Sequence, residues 1–378
     1  KWAGYPQIRT VDEYFDLIEA YVAANPMMGD EKNIPFTILC DDWRDFCLEN
    51  PPQFLDGYPN DGSCMVDAET QTVLDYNTTE TARRYFQKLN EEYKKGIIDQ
   101  EFFTQNYKEY LEKLASGRVL GMVDQWWQFS YAVNNSLERL ADHGCSYVPL
   151  PITIDRSVTN QWHVKRGAEL SVADGIAITV SCEDIAGAMQ FLNDILDEEI
   201  IKLRYWGIEG VDYEVSENGM YFRTPEQRVK SRDIEYKNAH FCIYSHFPRI
   251  EGMLGDGMNA FSPEYQEEEF LNALVSDVQE CLAAYGCRTY VEMLGTNEAP
   301  GPWFPMYSFS EMLTQESMAG RVWDCMKSVK NEYLPRVVMT EDFDAMWQQY
   351  MQSYKACQPE IFFDAMQQEL ERRINISK

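Results

Sequence analysis

The chain has 378 residues, long enough for two lobes with separate cores. Asp and Glu total 62 against 33 Lys and Arg, a formal charge of -29, which argues against nucleic acid and anionic lipid as partners because a phosphate surface needs a basic counterpart. No run of eighteen apolar residues occurs, so no segment reads as a membrane-spanning helix.

In chain order, Thr10-Val11-Asp12-Glu13 reads as a capping box. Val11, Tyr14, Phe15, Ile18 and Val22 then mark one face of the helix it opens. Pro35 to Leu39 is expected to form a strand delivering Cys40 to Phe46. Asp42 and Trp43 there are either ligand contacts or a capped helix start, with Asp41 or Asp42 as the cap and Trp43 packed in the first turn. Asn50 to Asp67, rich in Pro, Gly, Asn and Asp, reads as a surface loop, and turn chemistry explains its Asn60-Asp61-Gly62 more simply than a metal does. Thr79 to Lys95 carries Ala82, Tyr85, Phe86, Leu89 and Tyr93 at helical spacing and stops at Gly96. Lys108 to Ala115 is a further helix, closed by Ser116-Gly117.

Val119 to Val123 is a short apolar run of the kind a parallel sheet buries on both faces. Ligands of open α/β sheets sit beyond the carboxyl ends of the strands, where Asp124, Gln125, Trp126 and Trp127 emerge. A flat indole suits the apolar face of a pyranose, and Asp and Gln suit its hydroxyls. The competing reading is that one or both tryptophans plug the core. Aromatics make up 13% of the chain, a surplus over ordinary core that a carbohydrate cleft would use.

Asp155 to Ala173 lacks periodicity and offers Trp162 as an exposed aromatic, with His163 a surface residue. Asp184 to Tyr205 reads as one long helix with Ile185, Ala188, Met189, Leu192, Ile195, Leu196, Ile200 and Leu203 on its buried side, ended by a left-handed Gly207. Trp206 at that terminus is a contact candidate, although a core plug suits it better. Asp212 to Val215 and Met220 to Arg223 form a hairpin around Asn218-Gly219. Gly252 to Asn259 lacks the ending of a phosphate loop and reads as an interlobe segment with Asp256 as a contact candidate. Gly295 to Tyr307 is a Pro-rich crossover expected to expose Trp303. Phe343 to Tyr354 holds a core stripe, Gln358-Pro359 breaks the run, and Phe363, Met366, Leu370 and Ile374 continue it.

None of the ten cysteines forms C-x-x-C and only four histidines are present, so no metal site and no cofactor are expected. Cys281 with Cys287, or Cys40 with Cys47, could close local bridges, and most of the others read as buried thiols. No G-x-S-x-G, H-E-x-x-H, Walker or G-x-G-x-x-G sequence occurs; an acid/base pair such as Asp42 with Asp124 is easily imagined among 62 acidic residues, and a non-enzyme is the preferred reading.

The ordered series Ser146 to Pro151, Gly175 to Thr179, Arg204 to Val215 and Tyr221 to Arg228, above all the W-G-I-E-G-x-D-Y stretch at Trp206, resembles the family 1 extracellular solute-binding proteins of bacterial ABC importers, in the oligosaccharide lipoprotein subgroup. The resemblance runs from about Thr10 to the C-terminal helix. It implies an α/β, periplasmic-binding-protein-like type II fold, with two lobes of mixed sheets flanked by helices. Residues 1–172 would begin the second lobe, 173–250 would be the remainder of the first, and 251–378 would be crossover and C-terminal helices returning to the second. It further implies a monomeric cell-surface lipoprotein of a bacterium, Gram-positive by expectation, that hinges shut on an oligosaccharide, presents it to permease subunits and meets the membrane only through a lipid anchor absent from this chain. The acidic net charge tilts the expected ligand towards a neutral oligosaccharide. A carbohydrate-binding adhesin without transport and a glycoside hydrolase are the alternatives. Resembling proteins carry well over a hundred residues before the point matching Lys1, so an N-terminally incomplete sequence and first lobe are expected. Related lipoproteins hold calcium on a D-x-N-x-N-G type loop. Here Asn25 to Asn33 is shorter and places methionines where oxygen ligands belong, so that site is expected to be lost.

Overall fold

A computed structural model describes residues 1–130, 133, 145–164, 176–241, 250–295 and 297–377. The chain divides into two compact units, Lys1–Glu169 with Tyr290–Lys378, and Leu170–Thr289. The sequence division at 250 therefore falls inside the smaller unit.

The larger unit is built around the buried segment Phe36-Thr37-Ile38-Leu39. Parallel bridges join Ile34 to Val119 and Thr37 to Met122 on one side and Phe36 to Ile98 on the other. The expected continuous strands are single bridges instead. Between Ile34 and Thr37 the hydrogen bonding shifts by one residue, so that the N–H of Phe36 turns to Ile97 while those of Ile34 and Thr37 face Arg118 and Gly121. Pro35 lies at the shift and has no N–H to give a regular ladder. Val119 and Phe36 are nevertheless buried, as a central parallel segment requires.

Helices pack on this frame. Thr10 caps Val11–Ala24 by accepting the N–H of Glu13, but the Glu13 carboxylate returns to the N–H of Arg9 rather than to that of Thr10, so only half of the expected box forms. Thr79 caps Glu80–Lys94, and a full capping box between Asn106 and Glu109 opens Tyr107–Ala115. Gly96 and Gly117 take the left-handed conformation that ends these two helices. Met318–Met339, Phe343–Ala356 and Glu360–Ile376 complete the core, with Trp323 stacked on Phe362 at 4.5 Å. The Asn90 side-chain amide donates to the carbonyls of Val338 and Thr340, satisfying the open end of the long helix. The expected break at Gln358-Pro359 is present, with Gln358 at a φ of 62°.

Two expectations fail, on the loop after Asn50 and on the cysteine pairing. Asn50 to Asp67 is no surface excursion: Pro51–Leu55 is a buried helix, and the Gln53 side-chain oxygen accepts the N–H groups of Asp61 and Gly62, satisfying two backbone donors of the loop where it lies against the core. Asn60-Asp61-Gly62 does serve as a turn, with Asp61 accepting from Ser63 and from the N–H of Met306. The disulfide joins Cys325 to Cys357, linking two C-terminal helices, whereas Cys40, Cys47 and Cys281 are free thiols. The Asn25 to Asn33 segment forms a small hairpin, Met27–Met28 with Glu31–Lys32.

The smaller unit centres on Trp206, whose indole N–H donates to the carbonyl of Ala260 beneath Tyr213 and Tyr221. Gly207 takes the expected left-handed cap. The expected hairpin around Asn218-Gly219 forms, with Glu214 opposite Phe222 and Val215 opposite Tyr221. The long helix does not. It breaks into Ile185–Asp194 and Glu198–Tyr205, because the Asp197 carboxylate accepts the N–H of Glu199 and starts a second helix. Its apolar stripe is largely exposed, at Ile185, Met189, Leu196, Ile200 and Leu203, and of the stripe only Ile195 is buried. Of the quoted Gly175 to Thr179 stretch, Gly175 lies outside the described residues, and residues 176–179 are not in a strand.

Candidate functional site

The parallel frame ends at two neighbouring places, and both carry aromatic side chains into solvent. After Leu39 the chain turns through Cys40 and Asp41 into a short 3-10 helix, Asp42–Asp45, and Asp42 adopts a φ of 56°, which an Asp tolerates better than most side chains. After Val123 it enters a helical stretch at 126–130. Trp43 from the first place is 53% exposed, and Trp127 from the second is 58% exposed. Their rings lie nearly parallel, 9° apart with centroids at 6.0 Å, and Phe46 borders both. Trp126 is 49% exposed and sits against Phe129 and Tyr290. The core-plug reading is therefore overturned for Trp126 and Trp127, while Trp43 stands in the first turn of its helix with its ring half-exposed.

Asp124 does the opposite work. Its carboxylate accepts from the Tyr110 hydroxyl at 2.7 Å, from the Gln128 amide at 2.7 Å and from the N–H of Gln125 at 2.6 Å, with the Cys47 thiol at 3.7 Å. Burial pushes its pKa up to about 6, while the Tyr110 and Gln125 hydrogen bonds pull the other way. Asp124 thus fastens the segment that displays the tryptophans, with three of these donors on one carboxylate oxygen and the Tyr110 hydroxyl on the other. Gln125 is half-buried beside it, and Asp42 is exposed next to Trp43. Neither Asp41 nor Asp42 caps the helix it precedes; the Asp41 carboxylate accepts instead the N–H of Tyr107 at 2.8 Å.

The other candidates lie elsewhere. Trp206 is fully buried, the core plug that suited it better than its candidacy as a contact, and Trp303 is 5% exposed, a core residue, which corrects its expected exposure as a contact. Trp303 is held down by the Gly301 backbone, where any Cβ would lie 2.4 Å from the indole nitrogen, and by the C-terminal helix, whose Arg373 donates to the Trp303 carbonyl. Trp162 is half-buried against Phe54, at 3.9 Å between centroids, rather than free. Asp256 is committed to its own turn, accepting from the N–H groups of Met258 and Asn259 and from the Asn259 amide. Sequence reading missed Arg44, Phe46 and Tyr107. The adjacency of Arg44 to Trp43 was the available signal for the first.

No family model matches the sequence, and no curated protein matches it. Solved structures do match in fold. The alginate-binding protein AlgQ2 aligns with a TM-score of 0.58 at 16% identity, over 97% of this chain and 68% of that one. An HMO-binding, ABC-transporter-associated solute-binding protein of Bifidobacterium longum infantis aligns at 0.56 and 13%, over 98% and 71%. The S. pneumoniae ABC-transporter substrate-binding protein FusA, in complex with kestose, aligns at 0.55 and 14%, over 100% and 70%. This chain has the α/β fold of these binding proteins, as the sequence resemblance implied.

Proposed function

We propose that this protein is the extracellular solute-binding component of an ABC importer and that it captures an oligosaccharide on the face formed by Trp43 and Trp127, flanked by Trp126. The observation that carries the reading is the pair of parallel, half-exposed indoles at the ends of the parallel frame, on a fold whose solved examples are named for carbohydrate ligands. A soluble protein has little reason to leave three tryptophans in water unless an apolar, flat-faced ligand covers them. We read the site as one of binding, with Asp124 beside the tryptophans engaged in internal hydrogen bonds. Capture would be completed by hinge closure of a second lobe, which favours the closed state only through contacts that both lobes make with the sugar. Delivery to permease subunits and tethering of the protein at a bacterial surface by a lipid anchor belong to the same proposal.

A glycan panel screened by thermal shift identifies the ligand, and calorimetry with Trp43→Ala and Trp127→Ala tests the face. Each replacement should weaken binding by roughly 1 to 3 kcal/mol, the scale of uncovering one aromatic surface. Unchanged affinity in both variants would sink the proposal.

A further inference from the structure

The sugar-binding reading leaves the charge of the ligand open, and the acidic composition of the chain argues for a neutral one. One side chain at the face argues otherwise. Arg44 follows Trp43 in the 3-10 helix, and its guanidinium carbon lies 4.6 Å from the Trp43 ring centroid and 3.9 Å from that of Tyr107. Two aromatic rings therefore fix the position of a planar cation beside the exposed indoles.

Among the described residues that cation has no carboxylate counter-charge. Among the described residues the guanidinium of Arg44 makes no ion pair, and its Nε is buried without a hydrogen-bond acceptor. In a chain with 62 acidic residues against 33 basic ones this is against expectation, and Arg83, Arg84, Arg118, Arg156 and Arg228 are all paired with carboxylates. Acids adjoin Arg44 in sequence, yet two of them are used elsewhere. Asp41 accepts the N–H of Tyr107, and Asp45 takes a hydrogen bond from Asn331. A buried donor left unmet beside a ligand face is the arrangement of a group that waits for its acceptor.

We infer that Arg44, held between Trp43 and Tyr107, reads an anionic substituent on the bound sugar, so that the ligand class is an acidic oligosaccharide bearing a carboxylate or a sulfate ester. The planar fork meets two oxygens of either group at once, whereas a sugar hydroxyl offers a single acceptor. The indoles take the apolar face of the ring and the guanidinium takes its charged edge. This inference rests on the carbohydrate reading above and fails separately from it.

The test uses paired glycans that differ only in charge: oligouronates against their carboxyl-reduced counterparts, and sulfated galactan oligosaccharides against their desulfated counterparts, titrated calorimetrically into the full chain. In one series the acidic member should bind at least tenfold more tightly than its neutral twin, and the series that shows this identifies the anion. Arg44→Gln should collapse that ratio towards unity, and Arg44→Lys should restore part of it by returning the charge without the fork. Melting temperatures of both variants establish that they are folded; should Arg44→Gln fail to fold, the ratio in wild-type protein and in Arg44→Lys decides the matter. Neutral members binding as tightly as acidic ones in every pair, or an unchanged ratio in Arg44→Gln, would overturn the inference while leaving the carbohydrate reading intact. Absence of binding to every glycan would overturn both.

Discussion

Asp124→Asn removes a charge from beneath the tryptophan-bearing segment while keeping the shape of the side chain. Burial raises the folded-state pKa of Asp124 from 3.8 to about 6, so the ionised form is disfavoured in the fold. A carboxyl shifted in this direction contributes stability that is fully present below its unfolded pKa and is lost as the pH rises through its folded pKa. Two units correspond to about 3 kcal/mol in all, and integrating the linkage gives ~1.4 kcal/mol gained between about pH 8 and pH 5. Asparagine can keep the hydrogen bonds. Its carbonyl accepts from Gln125 and Gln128, its amide donates to Tyr110, and the Tyr110 hydroxyl has the Met122 sulfur at 3.3 Å as another acceptor. Urea unfolding of wild-type and variant protein across this pH range isolates the effect, because Asp45, raised to about 7 by burial and by Glu49, adds a slope common to both. The variant should lose about 1.4 kcal/mol of the gain on acidification and be at least as stable as wild type near pH 8. A variant with the wild-type slope, or one much less stable at pH 8, would refute the reasoning: the first would mean that Asp124 ionises freely, the second that its partners need the charge.

Two further outcomes follow from the core of the larger unit. Cys325→Ser should lower the stability of oxidised protein by ~3 to 4 kcal/mol, the chain-entropy value for a bridge of sequence separation 32, and reductant should bring wild type down to the variant without affecting the variant itself. Lys330 and Glu49 form a buried ion pair at 2.5 Å, so Lys330→Met alone should destabilise by roughly 3 to 5 kcal/mol, whereas adding Glu49→Leu should recover most of the loss; a double variant no better than the single one would show that the pair is not the source of the cost.

What could be read from the sequence was what neighbouring residues decide among themselves. Thr79 as a cap, Gly96 and Gly117 as stops and Asn218-Gly219 as a turn each depend on a few consecutive residues, and each stands in the structure. The Cys325–Cys357 bridge was hidden because its partners meet only after two helices pack. Trp303 was misjudged for the same reason: a tryptophan in a Pro-rich segment is exposed or buried according to what lies across from it, and here Arg373 holds its backbone against the C-terminal helix. The stripe from Ile185 to Leu203 shows the converse error, since helical spacing identifies an apolar side and the described fold leaves most of it uncovered.

The candidate site divides along the same line. Trp126 and Trp127 were visible as a strand-end motif, but the division of labour within Asp124-Gln125-Trp126-Trp127 was not, because Tyr110 and Cys47, which turn Asp124 inward, come from other parts of the chain. Those contacts also explain how two solvent-exposed indoles can form a surface ready for a ligand. The segment bearing Trp43 is braced at Asp41 by the N–H of Tyr107, and the hydroxyl of the same tyrosine donates to the carbonyl of Gln128, one residue beyond Trp127. Gln128 in turn donates to Asp124 and to the Cys47 sulfur, closing a circuit that ties both tryptophan-bearing segments to the helix Tyr107–Ala115. Each brace is a hydrogen bond made within the protein, so the two aromatic segments are held by internal contacts. A sugar binding there would give up less conformational entropy than one that had to order two loose loops, which is the advantage of a site whose rigidity is supplied from behind.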